Sequence, residues 1–538
     1  MVLRRLVNCL FLALLGVFIL PVLAVLTSWI DWGSGSLASV QILLEMVQTV
    51  LPDYAWTTFW LCLMVCVGVI CIGLSCATVV TLFDFPGRKF FEWALLLPLA
   101  MPAYVVAYAY TDFLQFGGPF QSTVRAVLNI EGRVFPEVRS LAGAACVFTL
   151  TLYPYVYLLA RSALSERASH LMEAARLLGA PLSRRIREVA LPLARPAVAA
   201  GVALALMETL ADFGVSSYFG IQTFTTGIYK AWLSMDNQRA AAQLATMLLI
   251  LVIALLSLDH HAQKRMRFSA KREAGAEDAK SVELSGRYLW LAWAVCSLPL
   301  ILGFMAPVLF MLRPLILDGS SLPWDRFMGW AFNSIRLGLI TAALAVGLAL
   351  LLAYQFRVNR AWLTRIVVQI AGLGYAIPGA VIVVGLLLPV GWLQAAFPQS
   401  SVGYYLTATP LGLVWAYLIR FCAVALQSIQ SGYARVPQSL DDSARMLGAG
   451  GWQLMQRVHA PLLRRSTAAA ALLVFVDVMK ELPATLVLRP FNSDTLAVVA
   501  YQLARDERLG EAALPCLALV FAGLLPVILL NRTLRSGN

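Results

Sequence analysis

Twelve apolar runs, each about twenty residues long, limit what this chain can fold into. A bilayer core of about 30 Å is crossed by about 20 helical residues rising 1.5 Å each, so every run is long enough to span it. They lie at Leu6–Trp29, Trp56–Leu82, Glu92–Gln115, Ser140–Ala160, Pro196–Ser216 and Ala240–Leu258. After a charged stretch come six more: Tyr288–Leu312, Phe332–Gln355, Leu363–Pro389, Leu406–Gln427, Thr467–Leu486 and Glu511–Leu530. With 60% apolar and only 13% charged residues, a soluble globular chain is excluded and an all-α polytopic membrane protein is expected. The first run is too long for a signal-peptide core and has no clear small-residue cleavage site, so it reads as a spanning helix.

The second constraint is a polar loop that occurs twice. Glu173-Ala174-Ala175 is followed by Gly179 and, after nine intervening residues, by Val189-Ala190-Leu191-Pro192. Asp442-Ser443-Ala444 is followed in the same way by Gly448 and Val458-His459-Ala460-Pro461. Gly179 and Gly448 stand 269 residues apart, as do Pro192 and Pro461, and 269 is half of 538. A further pair, Pro102 and Pro378, is offset by 276, which places seven extra residues in the first half, most simply in the long outer loop Phe116 to Arg139. The chain therefore reads as a tandem duplication: repeat 1–258, linker 259–287, repeat 288–538. Small Ala174 and Ala175 let another surface approach, and glycine is suited to the left-handed turn between two helices. Pro181 is expected at the first position of the second of those helices.

This pattern resembles the Glu-Ala-Ala loop of the membrane permease subunits of ATP-binding-cassette importers: Glu-Ala-Ala, three residues, Gly, nine residues, Ile-x-Leu-Pro. The resemblance implies two fused six-helix type I permease units. It also implies a cytoplasmic loop of two short helices, the first docking into a cleft on an ATPase subunit. The docking residues would be Glu173, Ala174, Ala175 and Gly179 in one copy and Asp442, Ser443, Ala444 and Gly448 in the other. The second copy departs from the pattern at Asp442, Ser443 and Ala460.

Charge gives the orientation. Of 41 Lys and Arg, 28 fall in the loops on the N-terminal side of the bilayer, ten in the opposite loops and three, Arg336, Arg420 and Lys480, inside runs. The positive-inside rule then places both termini, both repeated loops and the linker in the cytoplasm of a bacterial inner membrane. The linker, from Asp259-His260-His261 to Arg287, reads as a tether attracted secondarily to lipid headgroups, and no nucleic-acid partner is expected. The nine cysteines lie in apolar runs and the four histidines in polar loops, without disulfide or zinc spacing. The stripe Cys62, Cys66, Cys71 and Cys76 reads as packing, because soft thiols suit a hard cation poorly.

No Gly-Lys pair exists, hence no phosphate-binding loop, so ATP is expected on partner subunits and no cofactor on this chain. Neither a serine-nucleophile elbow nor a paired-histidine zinc motif is present, so the chain is expected to be a translocation subunit rather than an enzyme. A secondary transporter is the distant alternative, but it has no use for two docking loops. Ala211-Asp212-Phe213-Gly214 with Gln222 to Tyr229, and Lys480 to Thr485 with Leu488-Arg489-Pro490-Phe491, look like the fused permeases of bacterial ferric iron importers. That resemblance implies Fe(III) as cargo, a periplasmic ferric-binding protein and two ATPase copies. Thiamine permeases share the fused layout and leave the cargo open.

Four carboxylates inside runs are candidates for the path: Glu208 and Asp212, with Asp477 and Glu481 at the offset of 269. Intramembrane carboxylates are costly and by default functional, and hard oxygen ligands suit a hard cation. Spacing of four puts each pair on one helix face. From Pro196, Glu208 lies about 18 Å and Asp212 about 24 Å along the helix, toward the outer side. A structural role in holding helices, with Lys480 neutralising a carboxylate, is the competing reading. Which residues ligate a metal stays open in the sequence.

Overall fold

The computed structural model describes residues 2–30, 38–165, 169–270, 282–317, 322–359 and 361–535. Among them nearly everything is helical, with one short parallel strand pair, Phe83–Asp84 beside Val282–Glu283. Residues 271–281 of the linker lie outside the described residues.

Among the described residues, ten helices are long and apolar enough to span a membrane, or eleven if one bent pair counts as a span, against twelve expected. Two runs account for the difference. Glu92–Gln115 is not continuous: Arg88–Ala100 and Ala103–Leu128 meet at 87°. Pro98 and Pro102 lack N–H donors, and Met101, just before Pro102, is forced to an extended φ −98°, ψ 126°. Its counterpart breaks likewise at Ile377 and Pro378, between Trp362–Leu373 and Gly379–Ala396, although there the second piece alone is long enough to span. The other run, Thr467–Leu486, belongs largely to the helix Ala460–Lys480, whose Arg464, Arg465, Asp477 and Lys480 make it too charged to count by composition.

The chain forms two compact units that cross the repeat boundary. One comprises residues 1–46, 228–249 and 324–499. Here the first helix, Val2–Leu26, packs on Trp362–Leu373 and Gly379–Ala396. Gly385 makes that contact possible, since a Cβ there would sit 2.2 Å from the Pro21 carbonyl oxygen. Trp415 donates its indole N–H to the Val17 carbonyl at 3.1 Å. Phe11 and Phe18 thereby enter a core with Leu337, Leu386, Tyr417 and Phe421.

The other unit comprises residues 47–227, 250–323 and 500–538. It contains the first span of the second repeat, Arg287–Leu317, which lies against Leu51–Leu82, Ala103–Leu114 and Leu509–Arg535. Tyr110 donates to the Leu302 carbonyl at 2.6 Å, and Phe113 stacks on Phe310 at 3.8 Å. In the loop between Phe116 and Arg139 of this unit, Gln121 donates to the Leu114 carbonyl, accepts from the Val134 N–H and lines an open cavity of about 220 Å³. Each unit thus contains the first span of the repeat that supplies the smaller part of it.

Candidate functional site

The two polar loops repeat in backbone detail. The first contains the helix Ser169–Leu177 with Ala174 and Ala175; the Glu173 side chain lies outside the described residues. Gly179 follows at φ +79°, its N–H bonded to Arg176 O, while Leu178 and Ala180 bond to Ala174 O and Ala175 O. In the second loop the helix Gln438–Met446 carries Asp442, Ser443 and Ala444, and Gly448 stands at φ +85°. Its bonds match: Leu447 to Ser443 O, Gly448 to Arg445 O, Ala449 to Ala444 O. A left-handed glycine bonded back onto the last turn satisfies the orphan carbonyls and reverses the chain. Pro181 departs from expectation: it is the cap preceding the helix Leu182–Arg185, at ψ 154°, so its carbonyl rather than its ring position serves the first turn.

Each loop then enters its membrane helix through a wide turn, Ile186–Ala190 and Met455–His459. The cause is the proline one residue into the following helix. Pro192 and Pro461 have no N–H to give, and the residue before each bonds five residues back, Leu191 to Ile186 O and Ala460 to Met455 O.

Sequence reasoning missed what the loops present. Leu177 and Leu178 are 84% and 88% exposed, and Met446 and Leu447, at the same offset, 90% and 89%. Four large apolar side chains stand exposed at matched loop tips, an arrangement unfavourable in water. The signal was present in the spacing, since each pair directly precedes its glycine.

It also missed how the second loop is mounted. Asp441, a single turn before the Ser443-Ala444 pair, is buried and takes Arg357 Nε at 2.6 Å and Nη2 at 3.2 Å. His459 Nε2 lies 3.0 Å from Asp441 Oδ1, and His459 Nδ1 lies 2.9 Å from the Tyr433 hydroxyl. With Asp441 accepting, Nε2 carries the proton and Nδ1 accepts from tyrosine. Arg357 also donates to the carbonyls of Tyr433, Val436 and Pro437, satisfying the end of the helix Pro410–Tyr433. Burial pushes the Asp441 carboxyl upward, but the hydrogen bonds and charge of Arg357, with His459, outweigh it and hold the group below its ordinary value.

The four carboxylates divide into two kinds, which corrects the expectation that each pair shares a helix face. Glu208 and Asp477 lie within the helices Leu191–Ala211 and Ala460–Lys480 and are half-buried. Asp212 and Glu481 lie just past those helices, at extended ψ 131° and 121°. There the chain breaks to start a short helix, and the carboxylate turns onto that new N-terminus. Asp212 accepts from the Val215 N–H at 2.8 Å. Glu481 accepts from the Ala484 and Thr485 N–H groups at 2.8 and 3.0 Å and from the Thr485 hydroxyl at 2.6 Å. Buried Glu481 is also paired with Arg420 at 3.4 Å. Helix N-termini favour negative charge, so both residues are already engaged in holding the break. Among the described residues no three His, Cys, Asp or Glu side chains lie close enough to hold a metal ion.

Against this geometry, the sequence profile of the family described as "Binding-protein-dependent transport system inner membrane component" matches residues 69–268 and 345–535. The chain belongs to that family. The two matches coincide with the two loop-bearing segments, so the permease is a duplicated one. It is similar to the Fe(3+)-transport system permease protein FbpB 2 of Haemophilus influenzae, 26% identical over 87% of this chain and 88% of the relative. It is likewise similar to the probable ABC transporter permease protein y4fN of Sinorhizobium fredii, 26% identical over 98% of this chain and 95% of the relative. The sulfate transport system permease protein CysT of Salmonella typhimurium is 31% identical over 26% of this chain and 49% of its own length. As a multi-pass permease of a binding-protein-dependent importer, the chain has a binding protein and an ATP-binding-cassette ATPase as its implied partners.

Proposed function

We propose that this permease moves ferric iron, released by a periplasmic ferric-binding protein, into the cytoplasm, driven by two copies of an ATPase docked on its two repeated loops. ATP is hydrolysed on those subunits, and this chain binds no cofactor. The observation that carries the reading is the matched pair of exposed tips, Leu177-Leu178 and Met446-Leu447, each beside a left-handed glycine. Two such tips suit two copies of one partner. The iron assignment is supported by similarity along most of both chains to a relative named for Fe(3+) transport, and by half-buried Glu208 and Asp477, whose hard oxygens suit a hard cation.

In this reading Glu208 and Asp477 line the path, while Asp212 and Glu481 fix the break beside it. Both termini are cytoplasmic, as the positive-inside bias requires. The test is radiolabelled iron uptake by cells expressing the permease with its ATPase and binding protein. Uptake should follow iron, and Glu208→Gln with Asp477→Asn should abolish it while the ATPase still co-purifies. Uptake of sulfate or thiamine in place of iron would reassign the cargo without touching the docking reading.

A further inference from the structure

The two loops repeat in backbone but not in how they are fastened. At the positions of Tyr433, Asp441 and His459 the first copy has Leu164, Met172 and Ala190, all buried, at the same offset of 269. At these three positions, therefore, the first loop has buried apolar side chains where the second has members of a buried charged network. That network touches more than the loop. Arg357 ends the membrane helix Trp324–Val358, Tyr433 ends Pro410–Tyr433, and His459 immediately precedes Ala460–Lys480. Asp441, on the helix Gln438–Met446, is the residue whose side chain bonds both Arg357 and His459. Tyr354 adds a bond to the Gly451 carbonyl at 2.8 Å and an edge contact with the His459 ring at 5.5 Å.

A seat of apolar contacts is non-directional and tolerates sliding, whereas charge-assisted hydrogen bonds fix distance and angle. We propose that the Arg357–Asp441–His459–Tyr433 clamp makes the second loop the stiff lever of the permease: it carries the motion of a docked ATPase into three helices, and the first loop, apolar at the matched positions, follows. Asp441 is a positioning residue in this scheme, touching neither cargo nor nucleotide. The two halves then contribute unequally to coupling although they bind the same partner. The proposal rests on the docking reading of the loops.

The test uses the full complex in proteoliposomes, with ATP hydrolysed and cargo transported measured together. Asp441→Asn removes the charge, and the triple change Y433L, D441M, H459A installs the seat of the first loop. Both should retain ATPase co-purification and hydrolysis within twofold of wild type, while cargo moved per ATP falls at least tenfold. Asp441→Glu, which keeps the charge, should restore part of that ratio. An unchanged ratio in Asp441→Asn and the triple variant overturns the proposal, as does a parallel loss of hydrolysis, transport and yield in both, which marks a merely structural network. Failure of the wild-type chain to bind any ATPase would instead sink the docking reading.

Discussion

Replacing Met446 and Leu447 together by serine separates docking from folding more cleanly than any other change. Both side chains are about nine-tenths exposed, so the chain loses almost no buried surface of its own, and a surface substitution of this kind costs about 0.5 kcal/mol or less. If the two side chains enter a cleft on the ATPase, each contributes about 1.5–3 kcal/mol at full burial. Half of that, allowing for incomplete burial, gives about 1.5–3 kcal/mol for the pair, or about 10- to 100-fold in Kd. The assay is ATPase affinity for the purified permease in nanodiscs, with the melting temperature measured alongside. An unaltered melting temperature with affinity down at least tenfold is expected. Affinity within twofold of wild type would refute the assignment of the tips, and a drop in melting temperature would show that they are buried by the permease itself.

Further outcomes follow from the same geometry. Gly179→Val and Gly448→Val should each cost about 1–2 kcal/mol in the loop through the left-handed backbone alone, because a Cβ at either position meets nothing within 4 Å; membrane insertion should persist while uptake falls. Arg420→Ala should destabilise the permease by about 3–5 kcal/mol, read as a lowered melting temperature in detergent, and the double change with Glu481→Ala should recover part of it. The Asp441 carboxyl is held below its ordinary value, so its stabilisation is fully present above about pH 4 and is lost as pH falls through the depressed value. The melting temperature in detergent, followed as pH falls below about 4, should drop further in the wild-type chain than in Asp441→Asn, which has no carboxylate to lose.

The repeated loops were legible because their geometry is local: a glycine at a fixed distance from two small residues dictates one turn whatever surrounds it. The breaks at Pro102 and Pro378 could be read in part, since proline announces a missing donor, but the 87° bend at the first depends on what packs there. The division among the carboxylates was hidden by a periodicity argument that assumed an unbroken helix, and the helices end at Ala211 and Lys480. The clamp was further out of reach, because Arg357 and Asp441 are 84 positions apart. A trace of it did lie in the sequence: Tyr433, Asp441 and His459 are polar where the matched positions Leu164, Met172 and Ala190 are apolar. Comparing the copies by chemistry, as well as by motif, exposes that difference. Which span joins which unit has no local signal, since apolar faces fit lipid and protein alike.

The placement of the first helix has a bearing on how the permease is made. Val2–Leu26 is synthesised well before the helices it packs against, which begin at Trp362. About 340 residues separate Leu26 from Trp362, so at about 5–20 residues per second the helix waits about 17–70 s for its neighbours. During that interval it sits in lipid without its partners, where an apolar helix is stable but uncommitted. A ribosome that stalls midway leaves an inserted fragment whose leading helix lacks its native seat, and quality control in the membrane has a defined species to recognise.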